Sequence, residues 1–229
     1  MGTNLLTPFE ENIFTVQRPY RVLGMELGVR MTVIRLQDGG LFLHSPVRLD
    51  PELKKEMDSL GPVRCLVGPN LFHHLSLRPW REDYPEARLF GVSGLPEKRK
   101  NLKFDGVLGE TPPPEWAGQI EQVAVKGMPK VNEVVFFHPK SRTLLLTDLA
   151  FHIRNDSPFS TRLLFRLING GYGRMAPTRL FKTVIKDRKA FRSSLDRILE
   201  WDFDKVILSH GHLVHDDGKE AFRKAFEGI

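Results

Sequence analysis

A single cysteine, Cys65, stands in 229 residues. That excludes an internal disulfide framework and any zinc or iron–sulfur site built from several cysteines. A metal in this chain must therefore rest on histidine and carboxylate, and eight histidines are present. Long apolar runs are also missing. No stretch approaches the roughly 20 apolar residues of a membrane-spanning helix, so no span is expected. The start, Met1-Gly2-Thr3-Asn4-Leu5-Leu6-Thr7-Pro8, has neither the basic opening nor the apolar run of a secretory signal. It also lacks the Ser or Thr that completes a myristoylation signal. There is no Walker A loop, no dinucleotide fingerprint and no Gly-x-Ser-x-Gly elbow. With no disulfide to form, a cytoplasmic protein is the expectation.

What is present is a globular composition, 41% hydrophobic and 27% charged, which supports one domain over residues 1–229. The net charge of +6 is concentrated: residues 151–200 hold 11 Lys and Arg against 4 Asp and Glu. Such a block attracts an anionic partner, or is simply a solvated helical face.

The first half reads as short strands and turns. Glu11–Val16 is a strand, and Met31–Leu36, Asp38-Gly39-Gly40 and Leu41–Ser45 form a hairpin. Asp50-Pro51-Glu52 opens a helix that Gly61-Pro62 stops. Val63–Val67 is an apolar strand, followed by a helix including 79–84 and a strand over Arg88–Val92. Residues 94–118, with Pro112-Pro113-Pro114, read as a surface excursion. Strands resume at Ile120–Val125, Glu133–His138 and Thr143–Thr147. Helices follow at about 158–168, 177–186 and 188–200, with Pro177 suited to a first turn. A last strand, Lys205–Ser209, precedes a closing helix. Two strand blocks, each followed by helices, predict a layered α/β sandwich.

Three polar clusters sit directly after apolar strands: Asn70–His74, Thr147-Asp148-Leu149 and Ser209-His210-Gly211-His212. Strand ends are where such sheets present ligands. Imidazole and carboxylate suit zinc, iron or manganese, and the same groups can form a proton-transfer set without metal or a purely structural hydrogen-bond network.

The order of residues from Asn12–Val16 and Gly39-Gly40 to the end of the last strand resembles the metallo-β-lactamase superfamily. Its most specific matches are Leu145-Leu146-Thr147-Asp148 and Ile207-Leu208-Ser209-His210-Gly211. The resemblance implies a four-layer αββα sandwich with a metal site along one edge of the paired sheets. It also implies Asp148 as the bridging aspartate and His210 as the last metal-binding histidine. The chain departs from the superfamily's His-x-His-x-Asp-His motif. Gly68-Pro69-Asn70-Leu71-Phe72-His73 stands there instead, with Gly68 and Asn70 at the two earlier histidines and Phe72 at the aspartate. Near Lys126-Gly127-Met128-Pro129, where a further histidine ligand is usual, there is none. The resemblance is therefore to a divergent branch whose first metal site is lost.

What remains is His73, Asp148 and His210, three ligands that with water complete a catalytic zinc geometry. The expectation is a hydrolase with a reduced, mononuclear site. It would hold one divalent ion, zinc or iron, and act on an ester, lactone, thioester or phosphoester. Asp148 and His210 would serve the chemistry, and Asn70 and His74 would contact the small-molecule substrate. His74 is alternatively a fourth ligand. The basic block favours an anionic substrate, with Arg162, Arg166, Arg174 and Arg179 as candidate anion holders. Two alternatives stay open: a non-catalytic ligand-binding protein on the same fold, and a mononuclear non-haem iron redox enzyme. Nucleic acid is a weaker partner, because the two-metal constellation of a nuclease is missing. The oligomeric state is left open. His152 and His212 are candidate supporting groups near the site, His215 is expected to face solvent, and His44 and His138 are expected to be structural. Cys65 is expected to be buried and inert. Asn169–Gly173 reads as a flexible loop.

Overall fold

The computed structural model describes residues 5–22, 25–167 and 172–229. β1 (Thr7–Glu10) and β2 (Ile13–Arg18) form a hairpin, and β3 (Arg21–Val22) pairs with β4 (Met25–Glu26) as a separate ribbon. β5 (Val29–Arg35) and β6 (Leu41–His44) are the hairpin expected around Gly39-Gly40. In α1 (Pro51–Leu60) the Asp50 carboxylate accepts from the Leu53 N–H at 2.9 Å, the cap its sequence predicts. β7 (Val63–Gly68), α2 (Leu77–Asp83), β8 (Arg88–Val92), α3 (Leu95–Lys98) and β9 (Gly106–Leu108) complete the first half. The resulting sheet runs β1-β2-β5-β6-β7-β8-β9, antiparallel as far as β6 and parallel from β6 to β9.

The second sheet runs β10 (Glu121–Ala124), β11 (Val134–His138), β12 (Thr143–Leu146) and β13 (Lys205–Leu208), with β12 and β13 parallel. Between these last two lie α4 (Phe159–Leu167), α5 (Arg179–Val184) and α6 (Arg188–Glu200), and α7 (Gly218–Ala225) closes the chain.

The layers follow from the two-residue period of strands. Phe136, Leu145 and Ile207 point into the core shared with the first sheet, where Phe136 meets Phe42 at 5.6 Å between ring centres. Their neighbours Val135, Leu144 and Val206 point the other way and pack with Phe191 and Leu195 of α6 and Phe222 of α7. On the outer face of the first sheet, Leu53 and Met57 of α1, Leu77 and Trp80 of α2 and Leu95 of α3 join the same core. Helices, sheet, sheet, helices: the αββα sandwich is as expected.

Two local expectations differ. Residues 94–118 are more than a surface excursion, since they contain α3 and β9. Trp116 is fully buried, edge-on to Phe42 at 4.9 Å and Phe90 at 4.8 Å. Pairing with β8 overrides a proline- and glycine-rich composition there. Pro177 does not sit in the first turn of α5. It precedes Thr178, whose hydroxyl accepts from the Phe181 N–H at 3.0 Å and starts the helix later.

Candidate metal centre

The parallel pairs β6/β7 and β12/β13 deliver their C-terminal ends to one edge of the sandwich, as ligand sites in open α/β sheets require. There His73 Nε2 lies 3.4 Å from Asp148 Oδ2, His210 Nε2 lies 3.5 Å from Asp148 Oδ1, and the two Nε2 atoms are 3.2 Å apart. Donor atoms of all three residues fall within 4.8 Å of one another. The far side of each imidazole is occupied. His210 Nδ1 donates to the Gly28 carbonyl at 2.6 Å, which turns Nε2 inward. His73 Nδ1 meets Ser45 Oγ at 2.6 Å. Phe151 stacks on the His210 ring at 5.4 Å and 14°.

Arg30, buried without a carboxylate partner among the described residues, clamps the turn that carries His210. Its guanidinium donates to the carbonyls of Leu208 and Gly211 and to Gln17 Oε1. Burial lowers its pKa to about 10. Gly211 takes φ +85°, and a Cβ there would stand 2.2 Å from the His152 carbonyl oxygen. Only glycine lets the turn pass so close.

Asn70 lies beneath the cluster, fully buried. Its Nδ2 donates to Asp148 Oδ2 at 2.7 Å and Thr147 Oγ1 at 2.9 Å. Its Oδ1 accepts the backbone N–H groups of Phe72 and His73 at 2.9 and 2.8 Å. Both ends of the amide are engaged, so the expected substrate contact at Asn70 would have to displace one of these bonds. Asn70 ties the loops of His73 and Asp148 together. Glu133 completes this layer, accepting from the Thr147 N–H at 2.7 Å and the Asp148 N–H at 2.9 Å. Burial and then the Asp148 charge push the Glu133 carboxyl up to about 7, against the pull of those two N–H donors. Burial would raise the Asp148 carboxyl, but His73 and His210 beside it hold it well below the ordinary carboxylate range.

His74 is brought near the cluster in sequence but not in bonding. Its Nδ1 faces Arg99 Nη1 at 2.8 Å, and burial followed by the charges of Lys98 and Arg99 lowers its pKa to about 4. It lines the cleft beside the cluster without joining the ligand set. His152 approaches His212 ring to ring at 5.9 Å, and His212 Nε2 bonds to Asp156 Oδ1 at 2.7 Å, so neither supports the ligands through its ring. His215 packs on Phe9 at 5.2 Å. His44 is buried, its Nε2 without a partner among the described residues, and His138 caps a 3-10 turn at Pro139–Ser141. Cys65 is buried in β7 and its thiol is pushed up to about 12, chiefly by burial.

Gly68, the position of one of the absent histidines, is walled by hydrocarbon. A Cβ on Gly68 would meet Leu95 Cδ2 at 2.8 Å and Leu77 Cδ1 at 3.0 Å. Above the cluster opens a cleft of about 480 Å³ whose lining includes Tyr20, Val47, Leu75, Phe151, Phe165 and Leu180. The arginines expected to hold an anion are elsewhere. None of Arg162, Arg166, Arg174 and Arg179 lines the cleft. Arg162 bonds to the Asn155 carbonyl and Arg166 to the Tyr172 hydroxyl. Of the glycine-rich run 169–173, residues 169–171 lie outside the described residues.

A protein-family model described as a domain of unknown function, DUF4336, matches residues 10–166. The chain belongs to the DUF4336 family. No curated protein matches its sequence. Among solved structures, this DUF4336 chain is similar to a metallo-β-lactamase from Pontibacter korlensis, at 12% identity and TM-score 0.67, covering 98% of this chain and 99% of that one. A metallo-β-lactamase from Hirschia baltica matches at 10% identity and TM-score 0.65, covering 96% and 94%. The flavodiiron core of Flv1 from Synechocystis sp. PCC6803 matches at 12% identity and TM-score 0.66, covering 96% of this chain and 59% of that one. These likenesses show the fold. The DUF4336 chain is a divergent metallo-β-lactamase-fold protein without the His-x-His-x-Asp-His motif.

Sequence reasoning missed Ser45, Gly28, Arg30 and Glu133. Glu133 had one signal: a carboxylate at the head of the apolar run Val134–Phe137. The role of Gly28 rests on a backbone carbonyl, which no residue type announces.

Proposed function

We propose that His73, Asp148 and His210 hold one divalent metal ion, zinc or iron, and that the chain is a hydrolase of an ester, lactone, thioester or phosphoester with an apolar body. One observation carries the metal reading. Nitrogen and oxygen donors at about 2.0–2.2 Å from a tetrahedral ion stand roughly 3.3–3.6 Å apart. The two inward Nε2 atoms here stand 3.2 Å apart, and each faces its own oxygen of Asp148, His73 at 3.4 Å from Oδ2 and His210 at 3.5 Å from Oδ1, with both Nδ1 atoms already bonded elsewhere. Bound there, the ion would supply Lewis acidity to a substrate oxygen and acidify a water.

The chain's own residues do the remaining work. Asp148 stays ionised at neutral pH and offers negative charge where a cation is wanted. Ser45 and the Gly28 carbonyl fix the two imidazoles, and Asn70 and Glu133 fix the loop of Asp148. The apolar walls of the cleft exclude water from the substrate body and leave its polar end to the cluster. Exposed Arg48, at the cleft lining, can meet a carboxylate on the substrate.

A panel of p-nitrophenyl acyl esters, a lactone, a thioester and a phosphodiester tests the reading. Turnover of one class, lost in His210→Ala and on chelation, is expected. The apolar cleft also supports a second reading, a non-catalytic ligand-binding protein. Saturable binding of an apolar probe with no turnover across the panel would favour it. Turnover that requires oxygen and iron would replace hydrolysis with redox chemistry.

A further inference from the structure

We propose that the rim of the cleft and the outer face of α4 dock on an anionic lipid surface. Exposed large apolar side chains are concentrated there. Tyr20, Phe72, Leu75 and Leu180 line the cleft and remain exposed, Leu180 to 69%. On α4, Phe159, Leu163 and Leu167 are 70%, 46% and 67% exposed. Their spacing of four residues puts them on one face of the helix. The opposite face is committed, because Phe165 and Thr161 are buried and Thr161 Oγ1 bonds to both the N–H and the carbonyl of Glu26 at 3.1 Å. The helix therefore cannot roll to hide its apolar stripe.

Charge selects the partner. Arg174, Arg179, Lys182 and Lys186 are exposed, and none is in an ion pair among the described residues. They flank Leu180 in sequence, within the block of 11 Lys and Arg against 4 Asp and Glu. Exposed Leu and Phe on one helix face, together with exposed cations on both sides of Leu180 at the cleft rim, suit a surface that lies in the headgroup boundary and gains from anionic lipid. A second copy of this chain would bring the same positive charge to meet this one. Among the described residues no helix is long and apolar enough to cross a membrane, so the contact would be peripheral. The surface stands whatever ion the three ligands bind.

Co-sedimentation of the full chain tests this, with vesicles of phosphatidylcholine alone and of phosphatidylcholine mixed with phosphatidylglycerol. Binding to the mixed vesicles, weaker by about tenfold or more on the neutral ones and reduced by salt, is expected. The triple variant Phe159→Ser, Leu163→Ser, Leu167→Ser should bind mixed vesicles about tenfold less. Each of Arg179→Gln and Lys182→Gln should cost roughly fivefold. These side chains are exposed, and circular dichroism checks that the fold is kept. Leu163→Trp gives a second readout that needs no loss of binding: its emission should shift to the blue with mixed vesicles only. Failure of the wild-type chain to sediment with mixed vesicles overturns the proposal, as does equal binding to both vesicle types. A concentration-dependent dimer abolished by the serine variant would assign the stripe to a second copy instead.

Discussion

Asn70 donates to Asp148 Oδ2 at 2.7 Å, a bond between loops 78 residues apart in the chain. The same amide receives the His73 N–H, so one buried side chain sets the spacing of two proposed ligands. Substitution should therefore affect both the fold and the site. Asn70→Ala should destabilise by about 1.5–3 kcal/mol, the range for buried hydrogen bonds to charged groups. Asn70→Asp should cost more, because it adds a charge beside Asp148. Urea unfolding of both variants measures this.

Glu133→Gln keeps the shape but not the chemistry. Two acceptor oxygens serve the Thr147 and Asp148 N–H groups, and the glutamine amide can accept only one of them. A loss of about 1–3 kcal/mol is expected, with metal affinity down by tenfold or more because the loop of Asp148 loses its anchor. A variant as stable as wild type would show that the two N–H groups find other partners.

Arg30→Lys tests the clamp on the His210 turn. A lysine keeps the charge but cannot reach the Leu208 and Gly211 carbonyls and Gln17 together as the planar fork does. Metal affinity should fall about tenfold or more, while the helical signal in circular dichroism stays. Unchanged affinity would mean that the turn holds His210 without Arg30.

Burial, and then the nearby His73, lower His44 from its ordinary 6.5 to about 3. A depressed folded pKa gives stability that is present above 6.5 and lost as pH falls through 3. The slope approaches roughly 1.4 kcal/mol per pH unit between those values. In metal-free protein, His44→Leu removes this slope, so the variant should gain on wild type as pH drops from 7 to 4. Parallel stability profiles would contradict the assignment.

Restoring two of the three absent histidines should not add a second metal. Gly68→His with Asn70→His forces a side chain between Leu77 and Leu95, at an overpacking cost of about 1–3 kcal/mol. Stoichiometry should not rise above one ion per chain. Two ions per chain would show that the Leu77 and Leu95 side chains yield.

The hairpin through Gly39-Gly40, the Asp50 cap and the apolar strand Val63–Val67 were legible because local chemistry decides them. The meeting of His73, Asp148 and His210 was legible too, because they follow β7, β12 and β13 at one edge. β9 was not legible: it is three residues long and exists through pairing with β8. Asn70 was visible as a polar group at a strand end, but its saturation by Asp148, Thr147 and two backbone N–H groups depends on distant chain. His74 shows the limit most clearly. It is one residue from His73, yet its ring meets Arg99 rather than Asp148.

The central claim is a single metal ion on His73, Asp148 and His210, and elemental analysis after saturation with zinc or iron tests it most directly. About one ion per chain is predicted, falling below about one tenth in folded His73→Ala and His210→Ala. A wild-type chain that holds no ion after supplementation, or variants that hold as much as wild type, would contradict it.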